Sequence, residues 1–317
     1  MDKSRWARGD LRRYRYPEDT CMTRSLIALD DAHQPLYDAE SFKTTHQLVD
    51  HPLLKAEALA ELIQRLPRER VFYSSGSVDR DADFDRAALE HPPKLELREA
   101  MKDLETADSY IMVNGPESDP EYQPLFRDIL GTVESYTRDM DPEIRDPMLY
   151  LFISSPNSTT PFHVDRYITF LMQITGNKKL FVWPASDRET VSEEALETLF
   201  ADPSQRSPLL PPSREEYCTE HSLSPGECLH IPFTAPHWVK NGDEVSISLS
   251  IIFRTRRTDR LRNAYQLNYG LRRRLGWAPF PVGQSPLRDH SKDLLLRTYS
   301  TLRTSQRRVM SSVRAVF

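Results

Sequence analysis

Residues Thr160–Pro184 read TPFHVDRYITFLMQITGNKKLFVWP. From Ile168 onward the stretch is rich in β-branched and aromatic residues, and it is broken by Gly176-Asn177, a pair suited to a two-residue turn. The spacing predicts a hairpin in which Thr175 faces Lys178, Gln173 faces Leu180 and Leu171 faces Val182. Alternation then sorts the side chains onto two faces. Phe170, Met172, Ile174, Lys179, Phe181 and Trp183 share an apolar face expected to pack against helices. Thr169, Leu171, Gln173 and Lys178 share the other, expected to line a barrel interior. A lysine enclosed there requires an anion, because an unpaired buried charge is costly.

Working outward, the strand-like pattern begins near Pro147 and runs to Arg254. It includes Met148–Ser154 (MLYLFIS), Gly226–Phe233 and Val245–Arg254, where VSISLS alternates strictly. Before it, Leu53–Leu66, Leu95–Ala107 and Tyr122–Met140 are helix candidates, and Ser74–Pro93 reads as a polar, exposed loop. Glu193–Phe200 is a short helix candidate within the strand region, and helices return after Thr255. The expected fold is α+β: a β-barrel or jelly-roll core over residues 146–255, flanked by N- and C-terminal helices. Residues 1–145 form the helical N-terminal region, and residues 256–317 a basic helical region.

Composition narrows the function classes. Of the 317 residues 28% are charged and 38% hydrophobic, which fits a globular chain and neither a disordered nor a fibrous one. No apolar run approaches the roughly 20 residues of a membrane span. Met1–Thr20 is charged and has no apolar h-region, so no secretory leader is expected. Cys21, Cys218 and Cys228 form no CxxC pair, which argues against a disulfide scaffold or a thiolate metal site, and the expected location is cytoplasmic. The net charge of −5 is unevenly spread: residues 256–317 hold 13 Arg and one Lys against three Asp. No aromatic–basic interleaving accompanies them, so a solvated or docked helix face is expected and not a nucleic-acid partner.

The chemistry sits in two segments. Thr160-Pro161-Phe162-His163-Val164-Asp165 places His163 and Asp165 two residues apart, hence on one side of an extended chain. Pro225–Pro232 (PGECLHIP) and the following Pro236-His237-Trp238 supply a second histidine just after a strand. Two imidazoles and one carboxylate on one face of a non-haem iron(II) leave the opposite positions open for a chelating cosubstrate and dioxygen. An H-x-D alone is weak; the surrounding T-P-x-H-x-D and G-E-x-L-x-I-P contexts, and Lys178, give it weight. The other histidines show no ligand spacing, and His230 reads as a packing residue.

These segments resemble the jumonji C oxygenases, and most of all the cupin-like branch that includes the asparaginyl hydroxylase acting on hypoxia-inducible factor. The resemblance covers about Met148–Arg254; it implies the double-stranded β-helix of the cupins for the jelly roll, and, because C-terminal helices of related enzymes often build a dimer, it makes Leu294–Phe317 a candidate for homodimerisation. It implies an iron(II)- and 2-oxoglutarate-dependent dioxygenase that uses dioxygen to hydroxylate an unactivated C–H. His163, Asp165 and His237 match the metal ligands, and Lys178 and Thr160 match cosubstrate contacts. Thr169 and Ser250 stand where the asparaginyl hydroxylase has asparagines, and Arg166 and Tyr167 align with substrate-contacting positions. The implied substrate is a side chain in a protein or peptide. N-methyl demethylation, hydroxylation of a small metabolite, and a non-enzymatic cupin scaffold remain open as alternatives. Arg254 shares the parity of Ser246, Ser248 and Ser250 and is a rival to Lys178 as cosubstrate anchor.

Overall fold

Strand β6 (Ile168–Thr175) ends at Gly176, and β7 (Lys178–Val182) begins two residues later in a different sheet. The expected hairpin is therefore a crossover. Both edges of β6 are already taken, one by β9 (Glu227–Ile231) and the other by β11 (Ser246–Arg254). Gly176 makes the turn at φ +69°, and a Cβ there would lie 2.3 Å from the Val245 carbonyl oxygen, so the chain passes close beneath the start of β11. Thr175 consequently pairs with Ile247 and Lys178 with Leu223 and Asn241.

This computed structural model describes residues 25–202 and 208–299. Met1–Thr20, Cys21 and the part of the expected dimerisation segment beyond residue 299 lie outside the described residues. The larger sheet has the order β1-β9-β6-β11-β4-β3-β2, with β1 at Phe42–Thr45, β2 at Val71–Ser75, β3 at Ser109–Asn114 and β4 at Arg145–Ser154. The smaller has the order β5-β10-β7-β8, with β5 at Thr159–Val164, β8 at Thr219–Leu223 and β10 at Pro236–Asn241. All pairings are antiparallel. A buried apolar cluster joins Leu171, Leu229 and Ile231 of the larger sheet to Leu180, Val182, Leu223 and Val239 of the smaller. The sheets thus face one another as a jelly roll.

The outer face of the larger sheet is largely apolar: Leu149, Leu151, Ile153, Phe170, Met172, Ile174, Ile251 and Phe253 are all buried. Helix α1 (Ala56–Arg65) buries Leu59, Leu62 and Ile63. The short helices α2 (Ala87–Glu90) and α3 (Leu97–Ala100) precede α4 (Gln123–Thr137). Proline in the first turn starts α4. Its Leu125, Ile129 and Val133 form the stripe of a helix with one covered face, and it packs on β4.

The N-terminal region is less helical than its sequence suggests. Residues 42–114 supply three strands, because pairing with β9 and β4 stabilises segments too short and polar to announce themselves. Only Leu97–Ala100 of the stretch Leu95–Ala107 is helical. Ser74–Pro93 begins inside β2 and buries Ser74, Ser75 and Asp83, so it is not a solvated loop.

Among the described residues the chain forms two compact units, one of residues 25–191 with 208–255, the other of 192–202 with 256–299. The second unit pairs α5 (Glu193–Ala201), which lies in sequence within the expected core, with α6 (Arg256–Leu275). Ser192 caps α5 by accepting from the Ala195 N–H at 3.2 Å. Phe200 stacks on Tyr265 at 5.2 Å, and Arg272 grips buried Glu197 at 2.9 and 3.2 Å. Part of the basic charge is therefore neutralised within this unit. Among the described residues no helix is long and apolar enough to cross a membrane.

Candidate metal centre

Strands β5 and β10 lie side by side in the smaller sheet, and their register sets His163 opposite His237. A bulge follows between His237 and Val239. Both imidazoles are buried. Each is tied in the same way, through Nδ1 to the carbonyl two residues earlier: His163 to Pro161 at 2.8 Å and His237 to Ala235 at 3.0 Å. A carbonyl only accepts, so each Nδ1 carries the proton and each Nε2 presents a bare lone pair. Those Nε2 atoms lie 3.8 Å from the two carboxylate oxygens of Asp165, one from each. That is too long for a hydrogen bond.

The three ligand atoms lie within 4.8 Å of one another. Two nitrogens and one carboxylate oxygen at this spacing fit a divalent cation of the iron(II) type, with the half-buried Asp165 on the open side. Burial, and then the neighbouring His163, push the His237 imidazole down to about 4 against the opposing pull of Asp165. His237 is therefore neutral near pH 7, as a metal ligand must be.

Lys178 is buried, whereas Lys179 is exposed and paired with Glu220 at 2.7 Å. Among the described residues no carboxylate pairs with Lys178. Burial alone pushes its amine down to about 7. Two further inner-face groups are buried without a hydrogen-bond partner, the hydroxyls of Thr169 and Ser250. Thr169 pairs in register with Ile252 and Ser250 with Leu171, so both look into the same interior. Gln173, on the same face, is fully engaged: its amide nitrogen donates to Thr175, Gly176 and Ser246, and its oxygen accepts from Ser248 at 2.7 Å. Buried polar groups of this interior are thus of two kinds, those met by their neighbours, such as Gln173, and those left unmet, such as Thr169, Ser250 and Tyr110.

Thr160 stands beside Val239 on β5 and is half-buried. The buried Tyr110 hydroxyl comes near it without a well-formed hydrogen bond, and burial pushes that phenol upward. Arg166 and Tyr167 follow Asp165 in the half-exposed turn into β6, near Tyr150, whose phenol is pushed upward chiefly by burial. Arg254 is ion-paired with Asp146 and is not available as an anchor. His230 lies on the outer face of the larger sheet, accepting from the Asp38 N–H at 2.9 Å and packing against Tyr37, Phe42 and Phe170.

Two residues near the centre escape a reading of the sequence. Tyr110 lies on a strand hidden in an apparently helical region. Phe84 stacks on His163 with ring centroids 4.4 Å apart and planes at 13°. A signal for it exists, since Phe84 is the lone aromatic in the charged run DRDADFDR.

A match to the cupin-like domain spans residues 45–259, more than half of the chain. The chain belongs to the cupin-like domain family. This match is to the cupin-like domain as a whole and does not single out its asparaginyl hydroxylase branch. Among solved structures, this cupin-like chain is similar to Escherichia coli YcfD at 18% identity and a TM-score of 0.47, over 90% of this chain and 68% of that one. It is similar at 17% identity and a TM-score of 0.42 to YcfD described as a ribosomal oxygenase in complex with cobalt and 2-oxoglutarate, over 90% and 67%. The same protein with cobalt and succinic acid gives 17% and 0.42 over 86% and 67%. These likenesses are too distant to assign any activity or residue to this chain. No curated protein matches it.

The depressed Lys178 amine has a consequence for stability. The unfolded chain binds its proton up to about 10.5 and the folded chain only up to about 7. Between those values the unfolded state holds more protons, so folding stability should rise with pH across that window and stay flat below it. Lys178→Met should remove the rise, which amounts to a few kcal/mol in order of magnitude. Denaturant unfolding of both proteins across pH 6–10 checks this through their difference; parallel pH profiles would contradict it.

Proposed function

We propose that this chain is an iron(II)- and 2-oxoglutarate-dependent dioxygenase that hydroxylates an unactivated C–H in an amino-acid side chain of a protein or peptide. The observation that carries the reading is the coincidence of two features in one interior. One is a 2-His-1-carboxylate set with its nitrogen lone pairs aimed at a common point. The other is a buried lysine lacking an anion. The first fits the metal and the second fits the far carboxylate of the cosubstrate.

Iron(II) with 2-oxoglutarate supplies, when bound, the oxidising chemistry, in which dioxygen is consumed, the cosubstrate becomes succinate and carbon dioxide, and the substrate C–H becomes C–OH. His163, His237 and Asp165 would hold the metal. Lys178 would fix the distal carboxylate of the cosubstrate, with Thr160 beside it. Thr169 and Ser250 would satisfy their free hydroxyls on the bound cosubstrate. Apolar neighbours such as Leu171, Leu180 and Val182 keep bulk water from that end of the interior. No side chain is required as a general base; the protein's task is orientation and shielding.

A polypeptide substrate is supported by the inner face of β2, β3 and β4. There Phe72, Met112, Tyr150 and Phe152 remain half-exposed, while the inner residues of β6 and β9 are buried against the smaller sheet. This apolar shelf leads towards Asp165, where Arg166 and Tyr167 would contact the substrate. We place the protein in the cytoplasm, in keeping with its free Cys218 and Cys228. We also propose a homodimer through helix 286–299, which exposes Leu287, Leu294, Leu295 and Tyr299.

Three experiments test these readings. Calorimetric titration of metal-loaded protein with 2-oxoglutarate should show binding weakened at least tenfold by Lys178→Ala and unchanged by Lys179→Ala. Succinate formation should vanish in Asp165→Ala. Equal affinities in the two lysine variants would overturn the anchor, and turnover in Asp165→Ala would overturn the metal site; formaldehyde release in place of a stable hydroxylated product would move the reaction to demethylation. In sedimentation, the wild type should run as a dimer and the double variant Leu294→Asp, Leu295→Asp as a monomer. A monomeric wild type would end the dimer proposal.

A further inference from the structure

We infer that Phe84 is a positioning residue for the metal centre, delivered onto His163 by a segment that closes the free edge of the smaller sheet. This rests on the metal-binding reading of His163, Asp165 and His237.

β5 is the edge strand of its sheet, so one row of its backbone groups needs partners from elsewhere. The segment from Gly76 provides them. The Thr159 N–H donates to the Gly76 carbonyl at 3.0 Å and the Phe162 N–H to the Arg80 carbonyl at 2.9 Å. Close approach is possible because residue 76 is glycine: a Cβ there would lie 2.8 Å from the Ser158 Cβ. Arg80 then fastens the segment through its side chain, to Glu215 at 2.9 Å and to Asp81 at 3.0 Å. The Asp83 carboxylate accepts from the Asp85 N–H at 3.1 Å and starts the turn Phe84–Arg86. That turn lays the Phe84 ring flat over His163.

His163 is thereby held in two independent ways. Its Nδ1 bond to Pro161 fixes one edge of the ring, and Phe84 covers one face. His237 stands 4.2 Å away at 55° on the metal side. Rotation of the imidazole about its last side-chain bond would drive the ring edge into Phe84. The direction of the Nε2 lone pair is set in this way by an aromatic residue that binds neither metal nor cosubstrate. Partners that orient a ligand histidine typically change metal affinity when removed, and a stacked ring does so through packing.

The test is an anaerobic cobalt(II) titration of the full chain, followed by the visible absorption of the bound ion, for the wild type and for Phe84→Ala, Phe84→Leu and Phe84→Tyr. The thermal midpoint of each metal-free protein is measured alongside. Alanine and leucine should weaken cobalt binding by roughly ten- to a hundredfold and alter the band shape. Tyrosine, which keeps the flat ring, should restore both. Leucine keeps apolar volume without the flat face, so its result decides the matter if the alanine variant folds poorly. Cobalt affinity within twofold of wild type and an unchanged band in the leucine variant would overturn the inference. A wild type that binds no cobalt would instead overturn the metal-binding reading on which it rests.

Discussion

His163 and His237 face each other across the β5–β10 ladder, and the rest of the site depends on that register. A slip of one residue in either strand would send that strand's ring to the opposite face of the sheet. With the register kept, each ring is turned by its carbonyl partner so that the bare nitrogens converge near Asp165. His237 also pairs with Val182, the first of the apolar residues that seal the space between the sheets. The donor atoms therefore stand where a dry interior meets a half-open one. There a metal can keep three protein ligands on one side and accept exchangeable ligands on the other.

The two faces of the larger sheet divide the labour. Its outer face is largely apolar and buried, and it supplies the packing that stabilises the fold. Its inner face mixes apolar residues with hydroxyls and an amide, and Lys178 joins the same interior from β7 of the smaller sheet. Gln173 shows that a buried polar group here can be fully satisfied by its neighbours. Lys178, Thr169 and Ser250 are not, and leaving such groups unmet is destabilising unless a ligand meets them. Stability forgone at these positions is what a dicarboxylate would recover on binding, which would couple the fold to such a ligand.

The sequence makes the pairing of His163 with Asp165 legible because two residues along an extended chain return a side chain to the same face, whatever the sheet. The inward placement of Lys178 is legible for a related reason, even though the hairpin is wrong. The Gly176-Asn177 link is two residues long whether the chain folds back or crosses to the other sheet, and the observed crossover leaves Lys178 inside and Lys179 outside. What stays hidden is settled by pairing over long sequence distances. FKTT and VFYSS are too short to signal strands without β9 and β3 beside them. Phe84 lies among aspartates and arginines that suggest solvent, and only the free edge of β5 explains its place. The assignment of α5 to the second unit likewise depends on contacts with α6, far along the chain.

The central claim is that His163, Asp165 and His237 hold an iron(II) that chelates 2-oxoglutarate. Metal-free protein mixed anaerobically with iron(II) and 2-oxoglutarate should develop a weak visible charge-transfer band that requires both additions and is lost in His163→Ala. Absence of the band, with tight binding of zinc or of no metal, would contradict the account and leave the three residues as structural members of a cupin without oxygenase chemistry.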